Sequence, residues 1–272
     1  MSGESLRADV RNWDDDQLNP KLGIVWNPWP KTTVRGGFFR TLQQPWLSKK
    51  ALNPSLEPTQ IGGFNQFFLG GTGDSAWRYG AGIDQKLPHH LYAGAEILFS
   101  DVEAAFWNSQ VEPPVIVRRD RDLQNGRAYI NWAPFSWLAL TTQYLYERVD
   151  ADIKGGFFGI EEAKKIRTHQ GVFGARYFHP CGITMGAFAT YIYQKGDFVA
   201  FTPDGAIYTV PAHDRFWIAD ASISYRLPKR FGTIGIEAKN IFNRKFHFQD
   251  TDPGNPRIMP GRLLLFRITL AF

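Results

Sequence analysis

Residues 263–272 read LLLFRITLAF, and their alternation is strict. Leu264, Phe266, Ile268, Leu270 and Phe272 form one set, all large and apolar. Leu265, Arg267, Thr269 and Ala271 form the other. Successive side chains of a strand point to opposite faces, so this stretch predicts a strand with one wholly apolar face. Terminal residues of a soluble domain usually fray, and a terminus this regular asks what that face meets.

The same period recurs upstream. Trp77, Tyr79, Ala81 and Ile83 alternate with Arg78, Gly80, Gly82 and Asp84. Leu91, Ala93, Ala95, Ile97 and Phe99 alternate with Tyr92, Gly94, Glu96, Leu98 and Ser100. Trp217, Ala219, Ala221, Ile223 and Tyr225 alternate with Ile218, Asp220, Ser222, Ser224 and Arg226. A helical period is almost absent; the stretch 160–166 is too short and too charged to carry one. Eleven strands are predicted, over 21–26, 32–41, 76–87, 91–100, 127–133, 137–149, 167–178, 183–194, 215–227, 233–243 and 262–272. Several exceed the usual globular length of about 5–6 residues and suit a tilted membrane crossing.

The connections sort by length. Those at 27–31, 88–90, 134–136, 179–182 and 228–232 are short, and each carries Pro or Gly. Those at 43–75, 101–125, 150–165, 196–214 and 244–261 are long. Short and long alternate along the chain. That is the pattern of an antiparallel up-and-down transmembrane β-barrel, with tight turns at one end and long loops at the other. A soluble sandwich mixes loop lengths between its ends.

Composition narrows the classes. No run of about 18 apolar residues occurs, which excludes a membrane-spanning helix but not a barrel strand. The net charge is +5, and clusters such as Arg118-Arg119-Asp120-Arg121-Asp122 mix both signs. No basic stripe with interleaved aromatics is present, so nucleic acid is not an expected partner. The single Cys181 excludes an intrachain disulfide and a cysteine-cluster metal site. It reads as a small residue in the turn His179-Pro180-Cys181-Gly182. The first twenty residues are polar and acidic and contain no apolar h-region.

On this reading the apolar parity meets lipid. The other parity, with Arg78, Asp84, Glu96, Asp220, Arg226, Glu237, Lys239 and Arg267, lines a lumen. Aromatics beside the turns (Trp26, Trp29, Trp132, Phe135, Trp137, Tyr177, Tyr193 and Tyr225) are expected to form interfacial girdles.

Three motifs carry a family resemblance. The terminal Phe272, with Leu264, Phe266, Ile268 and Leu270 at alternate positions before it, resembles the insertion signal of outer-membrane barrels. Lys239-Asn240-Ile241-Phe242-Asn243-Arg244-Lys245-Phe246, followed by Pro260-Gly261-Arg262, is similar to the penultimate and last strands of TonB-dependent receptors. Residues 18–45, LNPKLGIVWNPWPKTTVRGGFFRTLQQP, resemble a strand pair of the same receptors. The stretches SLEPTQIGGFNQFF (55–68), WRYGAGIDQK (77–86) and FQDTDPGNPRIMPGR (248–262) look closer to a subgroup of barrels fused behind tetratricopeptide repeats.

The resemblance implies the C-terminal part of an outer-membrane barrel of a Gram-negative bacterium. Such a protein takes up or passes a bulky polar substrate. Its implied partners are outer-membrane lipid, lipopolysaccharide, the barrel-assembly machinery and either a TonB-type energy transducer or an upstream plug or repeat domain. Neither a TonB box, a plug nor a repeat is matched within the chain. Residues 1–19 are then expected to be the remnant of an extracellular loop and 20–272 to be barrel. Bacterial barrels have even strand numbers, so eleven strands are expected to belong to a larger barrel, of about 22 strands by the resemblance. The stretch 60–68 is expected to form a strand or hairpin inside the first long loop. The outer edge of the last strand is expected to be unpaired.

Three other classes share parts of this pattern. A tetratricopeptide-fused exporter would keep the barrel and reverse the traffic. A soluble carbohydrate-binding β-sandwich would put the charged parity in water. An outer-membrane enzyme needs a nucleophile near a base, but His169 has the lipid-facing parity and Ser222 and Ser224 the other. His89 and His90 are adjacent in a turn and point apart, a poor metal site. His213-Asp214 and residues 247–250 are assigned to loops, and Asp250-Thr251-Asp252 lacks the remaining ligands of a calcium loop. Glu96 and Glu237 are far apart in strand order and are expected to bond to Arg78, Arg226, Lys239 or Arg267. No catalytic residue, metal or cofactor is therefore expected.

Overall fold

The computed structural model describes residues 17–42, 60–66, 73–108, 115–151, 163–201, 203, 207–250 and 259–270. The strands are β1 (Lys21–Trp29), β2 (Thr32–Leu42), β3 (Gln60–Ile61), β4 (Phe64–Asn65), β5 (Ser75–Leu87), β6 (Leu91–Asn108), β7 (Val115–Phe135), β8 (Leu138–Ala151), β9 (Ala163–Phe178), β10 (Ile183–Phe201), β11 (Ile207–Arg226), β12 (Gly232–Lys239) and β13 (Leu263–Leu270). Eleven of them form one antiparallel sheet in the order β1-β2-β5-β6-β7-β8-β9-β10-β11-β12-β13. Each strand pairs with its neighbour in the sequence of long strands, as a meander does. The sheet is open, with β1 and β13 as its edges. Apart from the two-stranded β3-β4 unit, no second sheet is found among the described residues, which therefore do not form a sandwich of two packed sheets.

Several strands outrun their predicted ends. The stretch 101–125, expected to be a loop, is strand as far as Asn108 and again from Val115. The stretch 196–214 is strand to Phe201 and from Ile207. His213 and Asp214, assigned to a loop, thus lie within β11. Residues Ala163–Ile166 open β9. In these extensions charged and apolar residues share both parities, as in DVEAAFWN (101–108), VIVRRDRDLQN (115–125) and IYTVPAHD (207–214), so no single apolar face marks them as strand. Ladder hydrogen bonds and cross-strand charge pairs such as Arg118–Glu103 (3.3 Å) hold them instead. Conversely, the strand expected over 233–243 stops at Lys239. The last strand ends at Leu270, and Ala271 and Phe272 lie outside the described residues.

The registers sort side chains onto two faces. One carries Leu22, Ile24, Ile83, Ile97, Ile130, Phe173, Met185, Ile223, Ile236, Leu264 and Phe266. All of these are exposed. A water-soluble sheet buries its apolar face; here that face lies open across eleven strands, far beyond the patch of a few hundred Å² usual on a soluble monomer.

The small core lies on the other face. Phe39, Ile61 and Phe64 are buried together, with Leu98 packed against them. The β3-β4 hairpin is therefore seated on the sheet, formed within the first long connection as expected. Its seat is a floor of glycine. A Cβ on Gly80 would lie 2.9 Å from Phe64 Cε1, and one on Gly37 would lie 3.0 Å from the Ile61 carbonyl. Gly62 has φ of +57° and approaches the Gly36 carbonyl so closely that any side chain would collide with backbone. Gly62→Val should therefore unseat the hairpin, seen as new protease cleavage between residues 60 and 66 with the large sheet intact.

Candidate functional site

The polar face holds two ion-pair networks, one near each edge of the sheet. In the first, Arg35 on β2 bridges two strands. Its Nε donates to Asp84 at 2.9 Å and its terminal nitrogen to Glu96 at 2.9 Å. Tyr129 Oη donates to the other Asp84 oxygen at 2.6 Å. Arg127 approaches Glu96 at 3.6 Å and covers the Tyr129 ring. Arg35 also covers the Phe64 ring and donates to the Gly63 carbonyl at 3.4 Å, so the network fastens the hairpin. Arg78 is buried, bonds to Ser100 Oγ and the Asn65 carbonyl, and lies over Phe39.

The second network is Glu237–Lys239–Asp220, with Lys239 Nζ 2.7 Å from Glu237 and 3.4 Å from Asp220. Asp220 also accepts from the Asn240 amide at 2.8 Å. Asn240 is 1% exposed and sits at φ +46°. Its Nδ2 donates to the carbonyls of Arg244 (3.0 Å) and Pro260 (3.2 Å), and its Oδ1 accepts from the Arg244 amide (2.8 Å). Asn243 Oδ1 in turn accepts from the Arg262 amide at 3.1 Å. The Lys-Asn-Ile-Phe-Asn motif is thus a side-chain-stapled turn that ends β12 and sets where β13 begins.

Residues 244–250 then fold over the polar face of β10 and β11. Phe246 stacks on Phe216 with ring centroids 4.4 Å apart. Gln249 and Gln194 exchange two hydrogen bonds of 2.9 Å, side-chain amide to backbone in both directions. Asp214 accepts from the His247 amide at 2.7 Å. His213-Asp214 and residues 247–250, assigned to separate loops, are therefore partly joined, but by backbone anchoring. No metal-binding group of His, Cys, Asp and Glu occurs among the described residues. Thr251 and Asp252 lie outside them.

All eight polar-face residues named from the sequence fall on one face by register. Their expected pairing was partly wrong. Glu96 bonds to Arg35 and Arg127, not Arg78, because those two stand nearest across β5 and β7. Glu237 pairs with Lys239 on its own strand. Arg35, Arg127 and Tyr129 were missed although each alternates in phase with the polar set; only the register shows that they converge. Leu264, Phe266, Ile268 and Leu270 lie together on the apolar face.

The apolar face is banded. Near the short turns stand Trp132, Phe135, Trp137, Tyr177 and Tyr225, with Phe135 stacked on Trp137 at 5.0 Å. Toward the other end lies a second aromatic band that the sequence reading had entered only through Tyr193. Its members include Tyr144, Tyr146, Tyr191, Tyr193 and Trp217, gathered around His169, to whose Nδ1 Tyr144 Oη is 2.7 Å away. His169 and the serines 222 and 224 occupy opposite faces. Trp217 and Tyr225 are eight residues apart, about 26 Å along a strand.

Two rows beyond the second band, Asp150 accepts from Arg148 at 3.0 Å and is 3.1 Å from Lys165. Burial pushes its carboxyl up, and the hydrogen bonds from Arg148 and Lys165 outweigh it, so the pKa is lowered. A lowered folded-state pKa gives stability present above the unfolded value and lost as pH falls through the folded one. Asp150→Asn should cost about 1 kcal/mol at neutral pH. The parent's advantage over this variant should vanish on the acid side of pH ~4, as a stability titration of both proteins would show.

At the short-turn end, His179 Nδ1 lies 2.9 Å from Cys181 Sγ and accepts from the Cys181 amide at 3.2 Å. A base does stand beside the thiol, but both are exposed and the contact closes a local turn. Searches of family models, curated proteins and solved structures give no match to this chain.

Proposed function

We propose that the sheet is part of the wall of an outer-membrane β-barrel, with its apolar face toward lipid and its polar face toward a hydrated lumen. The observation that supports this most is the exposed apolar face bounded by two aromatic bands. Their separation, about 20 Å once tilted, is near the height of a membrane barrel's apolar belt. Backbone groups in lipid must be satisfied within the sheet, and the continuous ladders from β1 to β10 and on to β11 do so between the two aromatic bands. A closed barrel would pair the two edges as well.

Within this reading the chain serves a TonB-dependent-receptor-like transporter or receptor for a bulky polar substrate. The lumen wall carries both signs of charge, neutralised in the Arg35 and Lys239 networks, so it is wettable without a strong single-sign field. The β3-β4 hairpin and residues 244–250 narrow the lumen from opposite sides. The long connections at the far end would meet the substrate first. A test is the partition and gel mobility of the chain refolded with and without detergent. Detergent-dependent folding with heat-modifiable migration is expected. A monomer folded in plain buffer would overturn the reading.

A further inference from the structure

Beyond the second aromatic band, the apolar side of the sheet turns basic. The registers place Arg148, Arg167, Lys195 and His213 directly opposite one another on β8, β9, β10 and β11. Like charges facing across a ladder are destabilising, and a sheet normally separates them or interleaves acids. Here Arg148 has Asp150. Arg167 and Lys195 have no ion pair among the described residues, and Arg167 Nε is buried without a hydrogen-bond partner. A cleft of about 350 Å³ opens between them, lined by Arg167, Lys195, Tyr193, His213, Lys165 and Asp197. Immediately beneath is the row Tyr146, His169, Tyr193 and Arg215.

We infer that this row binds the phosphate of an anionic lipid headgroup in the outer leaflet. The inference rests on the reading of the apolar face as lipid-facing. The aromatic band marks the depth at which acyl chains give way to headgroups. The next row outward is the level of headgroup phosphates, and it carries two cations, Arg167 and Lys195, that no acid among the described residues pairs with. A phosphate between Arg167 and Lys195 turns their repulsion into attraction, and Arg supplies the planar donor fork suited to phosphate oxygens. Tyr193 belongs to the band just beneath the row, its ring against His169. The neighbouring acids do not spoil the site, since Asp150 is held by Arg148 and Lys165. Asp197 faces Lys165 across the ladder.

The test uses the full chain folded into dodecyl maltoside micelles. Bis-phosphorylated lipid A, its dephosphorylated form and inorganic phosphate are titrated separately, and bound species are read by native mass spectrometry. The phosphorylated lipid should bind. The variant Arg167→Gln/Lys195→Gln should weaken it about thirty-fold, roughly the effect of two surface cations. The control Lys86→Gln/Lys229→Gln, at the short-turn end, should not change it. Without lipid the Arg167→Gln/Lys195→Gln variant should be at least as heat-stable as the parent, because a like-charge contact is gone; this separates lost binding from misfolding. Equal binding of both lipid forms, or unchanged affinity in that variant, overturns the site while leaving the barrel reading standing. Inorganic phosphate that displaces the lipid at equal concentration makes it a free-anion site and overturns the lipid assignment. A chain that stays folded outside micelles overturns the membrane reading itself.

Discussion

Ile223→Arg should abolish or strongly impair folding into detergent micelles or bilayers, whereas Ser224→Arg, one residue further, should be tolerated. Ile223 lies on the apolar face between Tyr225 and Trp217, with Met185 and Ile236 as its cross-strand neighbours. An arginine costs about 2–4 kcal/mol at the middle of a membrane barrel's apolar belt and less toward its rims; Ile223, two residues inside Tyr225 and six from Trp217, lies between the two. Ser224 points to the other face, where Gly235 and Thr184 flank it and a cation meets water. In a soluble protein the outcome would be the reverse of alarming. Ile223 is 45% exposed, and a charge at an exposed site changes stability by only about 0.5 kcal/mol. The comparison thus separates two solvents for one face. Yield of the heat-modifiable form, measured for both variants beside the parent, reads the answer.

The second large effect is expected at Asn240. Asn240→Ala removes three side-chain hydrogen bonds in a buried site, each worth about 1 kcal/mol. It also places a Cβ-bearing residue without a compensating side chain at φ +46°, which costs about 1 kcal/mol more. A loss of about 4 kcal/mol is expected. Asn240→Gly should recover only the backbone part. Asn240→Asp should be worse than glycine, because its carboxylate would face the Arg244 and Pro260 carbonyls that Nδ2 now satisfies. The consequence should be felt in β13, whose register on β12 begins at Leu263 opposite Lys239. Protease sensitivity of residues 263–270, followed with the thermal transition, tests whether the turn places that strand.

Strand positions and faces were legible from the sequence wherever the two faces differ in polarity. The alternation from Leu264 to Leu270 and from Trp217 to Tyr225 reports the boundary between two environments, and the registers follow it. It fails where both environments are water. Arg118-Arg119-Asp120-Arg121-Asp122 looks like a solvated loop because each parity is charged, yet it is the outer part of β7. The basic row was hidden for another reason. Arg148, Arg167, Lys195 and His213 stand on four strands, and no local motif joins them; adjacency arises only when every turn fixes its register. The same holds for Arg35, 61 residues from the Glu96 carboxylate it meets. Asn240 is the contrary case: it sits in a local motif with Arg244 four residues on, although Asp220 and Pro260 are each 20 residues away.

The length of β7 has a consequence for motion. At 21 residues its contour is about 70 Å, well over twice the length of strand between the aromatic bands. In a bilayer its two halves would have different alternatives to the ladder. An amide opened within the belt finds no partner in hydrocarbon, so opening there is costly. An amide opened beyond Arg127 toward Val115 finds water at once. Amide protons along this one strand should therefore exchange on a graded clock, fast at Val115 and slow near Ile130. The step between them would mark, residue by residue, where the lipid ends.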